Sequence, residues 1–191
     1  MAFWKDNSTL PKRNFRFKVT MGRTSGGNAD VGSTVNTHWW AKTIKLPAFS
    51  SSPVELDYLD NKYYFPGRIT WEDVTMTLVD PSDPDAVSIL LDMLTKAGYQ
   101  VKGNTTADGM ATINKLDSAN ITITIDVLNE DGTAIESWSL NNAMIITADL
   151  GTMDYSSDDL REVSVTLKYD WATCTINGVA SSYFPAATTT S

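Results

Sequence analysis

Apolar side chains return at every second residue along much of this chain, and that period decides what it can fold into. Phe15, Phe17, Val19 and Met21 alternate with Arg16, Lys18 and Thr20. Val54, Leu56 and Tyr58 alternate with Glu55 and Asp57, and Ile121, Ile123, Ile125 and Val127 with Thr122, Thr124 and Asp126. Val163, Val165, Leu167, Tyr169 and Trp171 give the cleanest run, with Ser164 and Thr166 between them. A strand turns successive side chains to opposite faces, so each run predicts a strand with one buried face. Trp40, Ile44 and Leu46 predict a further strand, stopped by Pro47. Residues 134–140 lead back from a turn at Asn129–Gly132, and Met144-Ile145-Ile146 opens another apolar run.

One stretch changes phase. In KYYFPGRITWEDVTMTLVDPSD, residues 62–83, the apolar positions are Ile69 and Trp71 before Glu72, then Val74, Met76 and Leu78 after Asp73. A slip of one residue moves the apolar set to the other face. It predicts a β-bulge at 72–73, where a strand bends or passes between sheets. Just upstream, residues 47–66 predict a long hairpin, with Tyr63-Tyr64-Phe65 on its return.

A single helix is expected over 83–97. Asp83 is placed to cap it, Pro84 suits its first position and Asp85 its positive first turn. Val87, Leu90, Leu91 and Leu94 are spaced as one apolar stripe, and Gly98 ends it. The sum is seven or eight strands and one helix: a mainly β chain, an antiparallel β-sandwich or barrel with one flanking α-helix and a long hairpin extension. Its expected organisation is an amino-terminal arm (1–13), one β domain (14–176) with a long connection at 99–118, and a flexible tail (177–191).

A chain of 191 residues with 42% apolar content can bury roughly 70% of its unfolded surface without staples. The lone cysteine, Cys174, forms no internal disulfide and reads as a buried or edge-strand residue. The formal charge of -8 is uneven, because residues 1–50 carry eight Lys or Arg against Asp6 and Asp30. In a net acidic chain this points to complementary surfaces in an assembly more than to nucleic-acid binding. No segment reads as a signal peptide or a membrane span.

Catalytic chemistry finds little support. His38 is the only histidine, so no His-based metal cluster forms, and beside Trp39-Trp40 it reads as packing or surface. Glu72-Asp73 fall on opposite faces of a strand, Asp158-Asp159 read as a solvated turn, and the Asp80–Asp85 run reads as helix capping. No enzyme, cofactor or metal is expected. What stands out is uncovered apolar surface: Phe3, Trp4, Phe49, Tyr63, Tyr64 and Phe65 have no obvious core to join, and such patches mark partner surfaces.

The order of these features resembles the tail tube proteins of contractile-tailed bacteriophages, a family that includes the tubes of related injection systems. The resemblance is carried by Phe15-Arg-Phe-Lys-Val, by Ile44-Lys-Leu-Pro47, by the stretch from Phe65 to Asp80 followed directly by the helix, and by the closing strand from Arg161 to Trp171. It covers residues 14–171. The resemblance implies a subunit that joins edge to edge in rings of six, stacked into a tube that conducts the genome. Its implied partners are further copies of itself, the tail sheath and the baseplate, and its implied place is the virion tail.

On that reading Val54, Leu56, Tyr58, Tyr63 and Tyr64 would contact a neighbouring ring. Thr122, Thr124, Asp126, Ser164 and Thr166 would face the channel, where an acidic lining lets DNA slide. A tube-fold baseplate or terminator protein is the nearest alternative. A β-sandwich adhesin or carbohydrate-binding module, using exposed tryptophans, is a more distant one.

Overall fold

A computed structural model describes residues 11–23, 41–82, 85–97, 99, 121–156, 158–176 and 182–183. Phe3, Trp4, His38, Trp39, Trp40, the 99–118 connection except Tyr99, and most of the tail lie outside them. The described elements are β1 (Phe17–Arg23), β2 (Ala41–Ile44), β3 (Phe49–Ser51), β4 (Val54–Tyr58), β5 (Asn61–Phe65), β6 (Ile69–Trp71) and β7 (Val74–Val79). Helix α1 (Ala86–Lys96) follows, then β8 (Ile121–Leu128), β9 (Ala134–Asp149), β10 (Glu162–Lys168), β11 (Trp171–Ile176) and β12 (Ser182–Tyr183). All pairing is antiparallel.

Two layers form a β-sandwich. The first runs β1-β8-β9-β11-β12 and the second β9-β10-β7-β2, with β9 in both. The described strands do not close into a barrel: β1 and β2 end the strand path. The predicted alternation sets the core. Val19, Met21, Ile123, Ile125, Leu140 and Ala172 of the first layer meet Val74, Met76, Leu78, Val163, Val165 and Leu167 of the second in one buried cluster. Each large aliphatic side chain so buried contributes roughly 1.5–3 kcal/mol.

A two-stranded ribbon stitches the layers together. Ser164–Thr166 pair with Thr147–Asp149, and Leu167 to Ile176 continue along Ile145 to Glu136. The strand expected to continue through Tyr169 to Trp171 instead breaks there. Tyr169 is 4% exposed, Trp171 is 38% exposed, and burial resumes one residue out of phase at Ala172 and Cys174. Its partner slips at the same level. β9 is one strand across Asn141-Asn142, where two separate runs were expected, and its buried positions Leu140 and Ala143 are an odd number apart. Asn142 absorbs the slip with φ +55, its amide donates to Asp170 Oδ2 at 2.9 Å, and the Asp170 N–H donates to the Asn141 carbonyl at 3.1 Å. Asparagine tolerates this left-handed geometry better than most side chains.

The phase change at 72–73 has a different cause from the bulge expected there. Ile44 pairs with Met76, Phe49–Ser51 pair with Trp71–Ile69, and the pairing register is the same on both sides of Glu72-Asp73. Between them, Lys45 N–H donates to the Thr75 carbonyl at 2.9 Å and Glu72 N–H to the Ala48 carbonyl at 2.8 Å. No extra residue is inserted. The ribbon leaves the second layer, turns over and presents its other face, so Phe49 and Trp71 pack edge to face at 5.6 Å, and Trp71 lies 5.9 Å from Tyr169.

The helix forms later than expected and faces differently. Asp85 is the cap: its Oδ1 accepts the N–H groups of Val87 at 2.9 Å and Ser88 at 3.4 Å, while Asp83, Pro84 and Gly98 lie outside the described residues. Asp80 Oδ1 accepts the Ala86 N–H at 3.2 Å, while its other oxygen pairs with the Arg161 guanidinium at 3.0 Å. The buried side is Ala86, Leu90, Met93 and Ala97, and Leu91, placed on the stripe by spacing, is 51% exposed. Leu90 and Met93 join the core cluster, with Val87 and Ile89 packed against it.

Candidate assembly surfaces

Beyond Ser51 the ribbon runs clear of the sandwich. Strands β4 and β5 pair only with each other, Val54 opposite Phe65, Leu56 opposite Tyr63 and Tyr58 opposite Asn61, and all ten of their residues are exposed. The pairing sorts them by face. Val54, Leu56, Tyr58, Tyr63 and Phe65 share one side. Glu55, Asp57, Lys62 and Tyr64 share the other, where Lys62 pairs with both carboxylates. Tyr64 is thus separated from the four residues grouped with it by sequence, and Phe65 takes its place on the apolar side.

The tip adds a residue that sequence reasoning passed over. Leu59 is 86% exposed and held at φ +54. That conformation costs an ordinary side chain about 1–2 kcal/mol. At the other end, the stem is pinched at Gly67, where an added Cβ would lie 1.7 Å from the Ser52 carbonyl oxygen. Only glycine lets the two strands approach so closely.

A cavity of about 410 Å³ opens where the sandwich begins. Phe17, Ile44, Leu46, Ile125 and Val127 supply apolar lining, and Lys12, Arg13, Arg16 and Lys42 supply positive charge. Lys12 pairs with Glu136 and Lys42 with Glu162. Burial works against ionising Glu136, but hydrogen bonds from Lys12 and from the Trp138 indole outweigh it and hold the carboxyl below its usual range. The Lys42 ammonium is held above its ordinary value, mainly by its hydrogen bond to Glu162. Neither Arg13 nor Arg16 has a carboxylate partner among the described residues, and Arg16 sits 5.6 Å above the exposed Phe15 ring.

The residues expected to face a channel divide between the two outer faces. On the first layer the register aligns Thr20, Thr124, Ser139 and Thr173 in one row, and Lys18, Asp126, Ser137 and Thr175 in the next; Thr122 lies opposite Gly22. Asp126 is only 9% exposed, accepts from Ser137 Oγ at 2.6 Å and lies 3.7 Å from Lys18 Nζ. Ser164 and Thr166 belong to the second layer, aligned with Thr77 and Asp149 and with Thr75 and Thr147. The two sets point away from a shared core, so a single channel takes one or the other. The hydroxyl rows were missed because Ser137, Ser139, Thr173 and Thr175 become neighbours of Thr124 and Asp126 only through pairing.

No group of three or more metal-ligating side chains occurs among the described residues, and no described helix is long and apolar enough to cross a membrane. Glu72 and Asp73 are taken by Lys45 at 2.9 Å and Lys168 at 2.6 Å. Cys174 is buried in β11, which pushes its thiol up.

Solved structures carry the same fold. A chain of the sheath–tube complex of an extracellular contractile injection system, PVC, in its extended state superposes with a TM-score of 0.63 at 18% identity, covering 90% of this chain and 99% of that one. A chain of the tube-terminating cap of the anti-feeding prophage gives 0.61 at 19% identity, covering 92% and 99%. A chain of the six-fold symmetrised baseplate of the same particle gives 0.62 at 11% identity, covering 90% and 99%. No family model matches the sequence, and no curated protein matches it. The likeness therefore lives in the fold.

Proposed function

We propose that this chain is a structural subunit of a contractile tail or injection machine, assembling with copies of itself into stacked rings of six that form the inner tube. The observation that carries the reading is the hairpin: its apolar face, Val54, Leu56, Tyr58, Tyr63 and Phe65, is exposed and nothing among the described residues covers it. A surface of this kind is costly in water unless a neighbour buries it. The fold supports the same conclusion, since it spans nearly the full length of chains found in a sheath–tube complex, a cap and a baseplate.

In this reading the edges of β1 and β2 that no described strand covers pair between neighbours, because closure removes an edge's unpaired backbone groups. The hairpin reaches the next ring. The hydroxyl rows of the first layer line the channel through which DNA is delivered. Their single carboxylate is compensated by Lys18, so the lining is polar and weakly charged and offers no phosphate-binding array. The outer surface meets the sheath and baseplate of a virion tail.

A terminating or baseplate subunit is the second reading, favoured by the matches to a cap and a baseplate. Negative-stain electron microscopy of the purified chain, over a concentration series and with baseplate seeds, separates them. Stacked tubes support the tube subunit, and single rings that never stack support the terminator. Monomers under every condition, seeded or not, would count against both.

A further inference from the structure

The hairpin needs a receptor, and the molecule carries a surface that fits it. We propose that the cavity lined by Phe17, Ile44, Leu46 and Val127 receives the hairpin tip of a second copy, with Leu59 as the anchor. This rests on the reading of the chain as a self-assembling subunit and names the two surfaces that meet.

Three observations support the pairing. Leu59 is the most exposed apolar side chain of the hairpin and is held in a left-handed conformation that leucine normally avoids. The two-residue turn between Tyr58 and Asn61 calls for a positive φ at its first position, and so sets Leu59 at the very tip of the hairpin. The sizes are compatible, because a two-residue turn flanked by paired strands is narrow and the cavity has about 410 Å³ to fill. The charges are complementary too. Around the tip stand Glu55, Asp57 and Asp60 against Lys62; in the cavity Lys12 pairs with Glu136 and Lys42 with Glu162, which leaves Arg13 and Arg16 as the cations that meet the acidic tip.

The geometry of such a contact has a consequence for assembly. Tip and cavity are different patches of one chain, so the contact is heterologous: each bound pair leaves one tip and one cavity unused. It propagates to a ring or a stack, where a self-complementary contact would stop at a dimer.

The test uses the full-length chain. Leu59→Gly removes the anchor and suits the positive φ, so the monomer's melting temperature should hold or rise while the concentration needed for assembly rises at least about tenfold. Leu59→Cys and Leu46→Cys chains, mixed under mild oxidant, should form a disulfide between the two variants in preference to either self-linked product; buried Cys174 stays out of the reaction. Assemblies that form normally without a 46–59 cross-link would overturn the proposal and leave the subunit reading standing. Dominant 59–59 links would overturn it in favour of tips packed against each other. If the wild-type chain never assembles, even when seeded, the subunit reading fails and the proposal goes with it.

Discussion

Two stretches of this chain have the same sequence pattern and opposite fates. Val54-Glu-Leu-Asp-Tyr58 and Val163-Ser-Val-Thr-Leu167 both alternate apolar and polar residues without a flaw. In β10 the apolar positions are 0% exposed; in β4 they are 61%, 53% and 64% exposed. The difference lies in what pairs and what covers. β10 sits between β9 and β7 with a second layer across the core, whereas among the described residues β4 has one partner, β5, and no layer opposite. Alternation fixes which side chains share a face. It is silent about whether this chain or another copy supplies the surface that buries that face.

The largest expected effect comes from exchanging the same kind of truncation between the two regions. Met76→Ala should cost about 3 kcal/mol of stability, measured by urea denaturation, because it empties a fully buried site. Leu56→Ala should leave stability within about 0.5 kcal/mol and instead suppress ring or tube formation by electron microscopy. Equal destabilisation by the two would break the comparison.

Next in size is the bend that joins the layers. Asn142→Val forces a β-branched residue into a left-handed conformation and deletes the contact to Asp170, so a loss of about 1–2 kcal/mol is expected. Asn142→Gly should recover most of it, and failure to do so would assign the cost to the side-chain bond instead of the backbone. A smaller effect, about 1 kcal/mol, is expected for Asp85→Ala, measured by urea denaturation.

Tyr169→Phe should change least at neutral pH. Among the described residues the buried Tyr169 hydroxyl has no well-formed hydrogen bond and only a weak interaction with the Ala48 backbone, so deleting it leaves little unpaired. Burial, then the charges of Asp73 and Glu72, push the phenol from 10.0 up to about 12. The unfolded chain therefore releases this proton first. Stability is unaffected below about pH 10 and falls as pH rises from there through 12. Thermal melts across that window should show the decline in wild type and a shallower one in the phenylalanine variant; parallel curves would sink the assignment.

How much was legible follows from how local each signal is. The sandwich, the turn at 129–132 and the detached hairpin were readable because alternation and turn chemistry act between near neighbours. The bulge assigned to 72–73 was wrong because a ribbon that turns over and a strand that gains a residue leave the same phase change in one sequence. The runs at 134–140 and 144–146 read as separate although they belong to one strand bent at Asn142, since a change of phase looks the same in either case. The helix face went to Ala86 and Met93 over Leu91 because spacing admits several stripes and packing selects one.

The assembly surfaces divide the same way. Exposure of Tyr63, Tyr64 and Phe65 was foreseeable from apolar residues lacking a core. Their sorting onto two faces, the strain at Leu59, and the rows of hydroxyls on β1, β8, β9 and β11 depend on pairing between residues far apart in the chain. By itself, the sequence determined the period of each strand and the composition of each face, because both are set within a few residues. Only the tertiary structure decided which faces were buried, where strands crossed between layers and which residues became neighbours. Those outcomes depend on long-range pairing, whose register no short stretch contains.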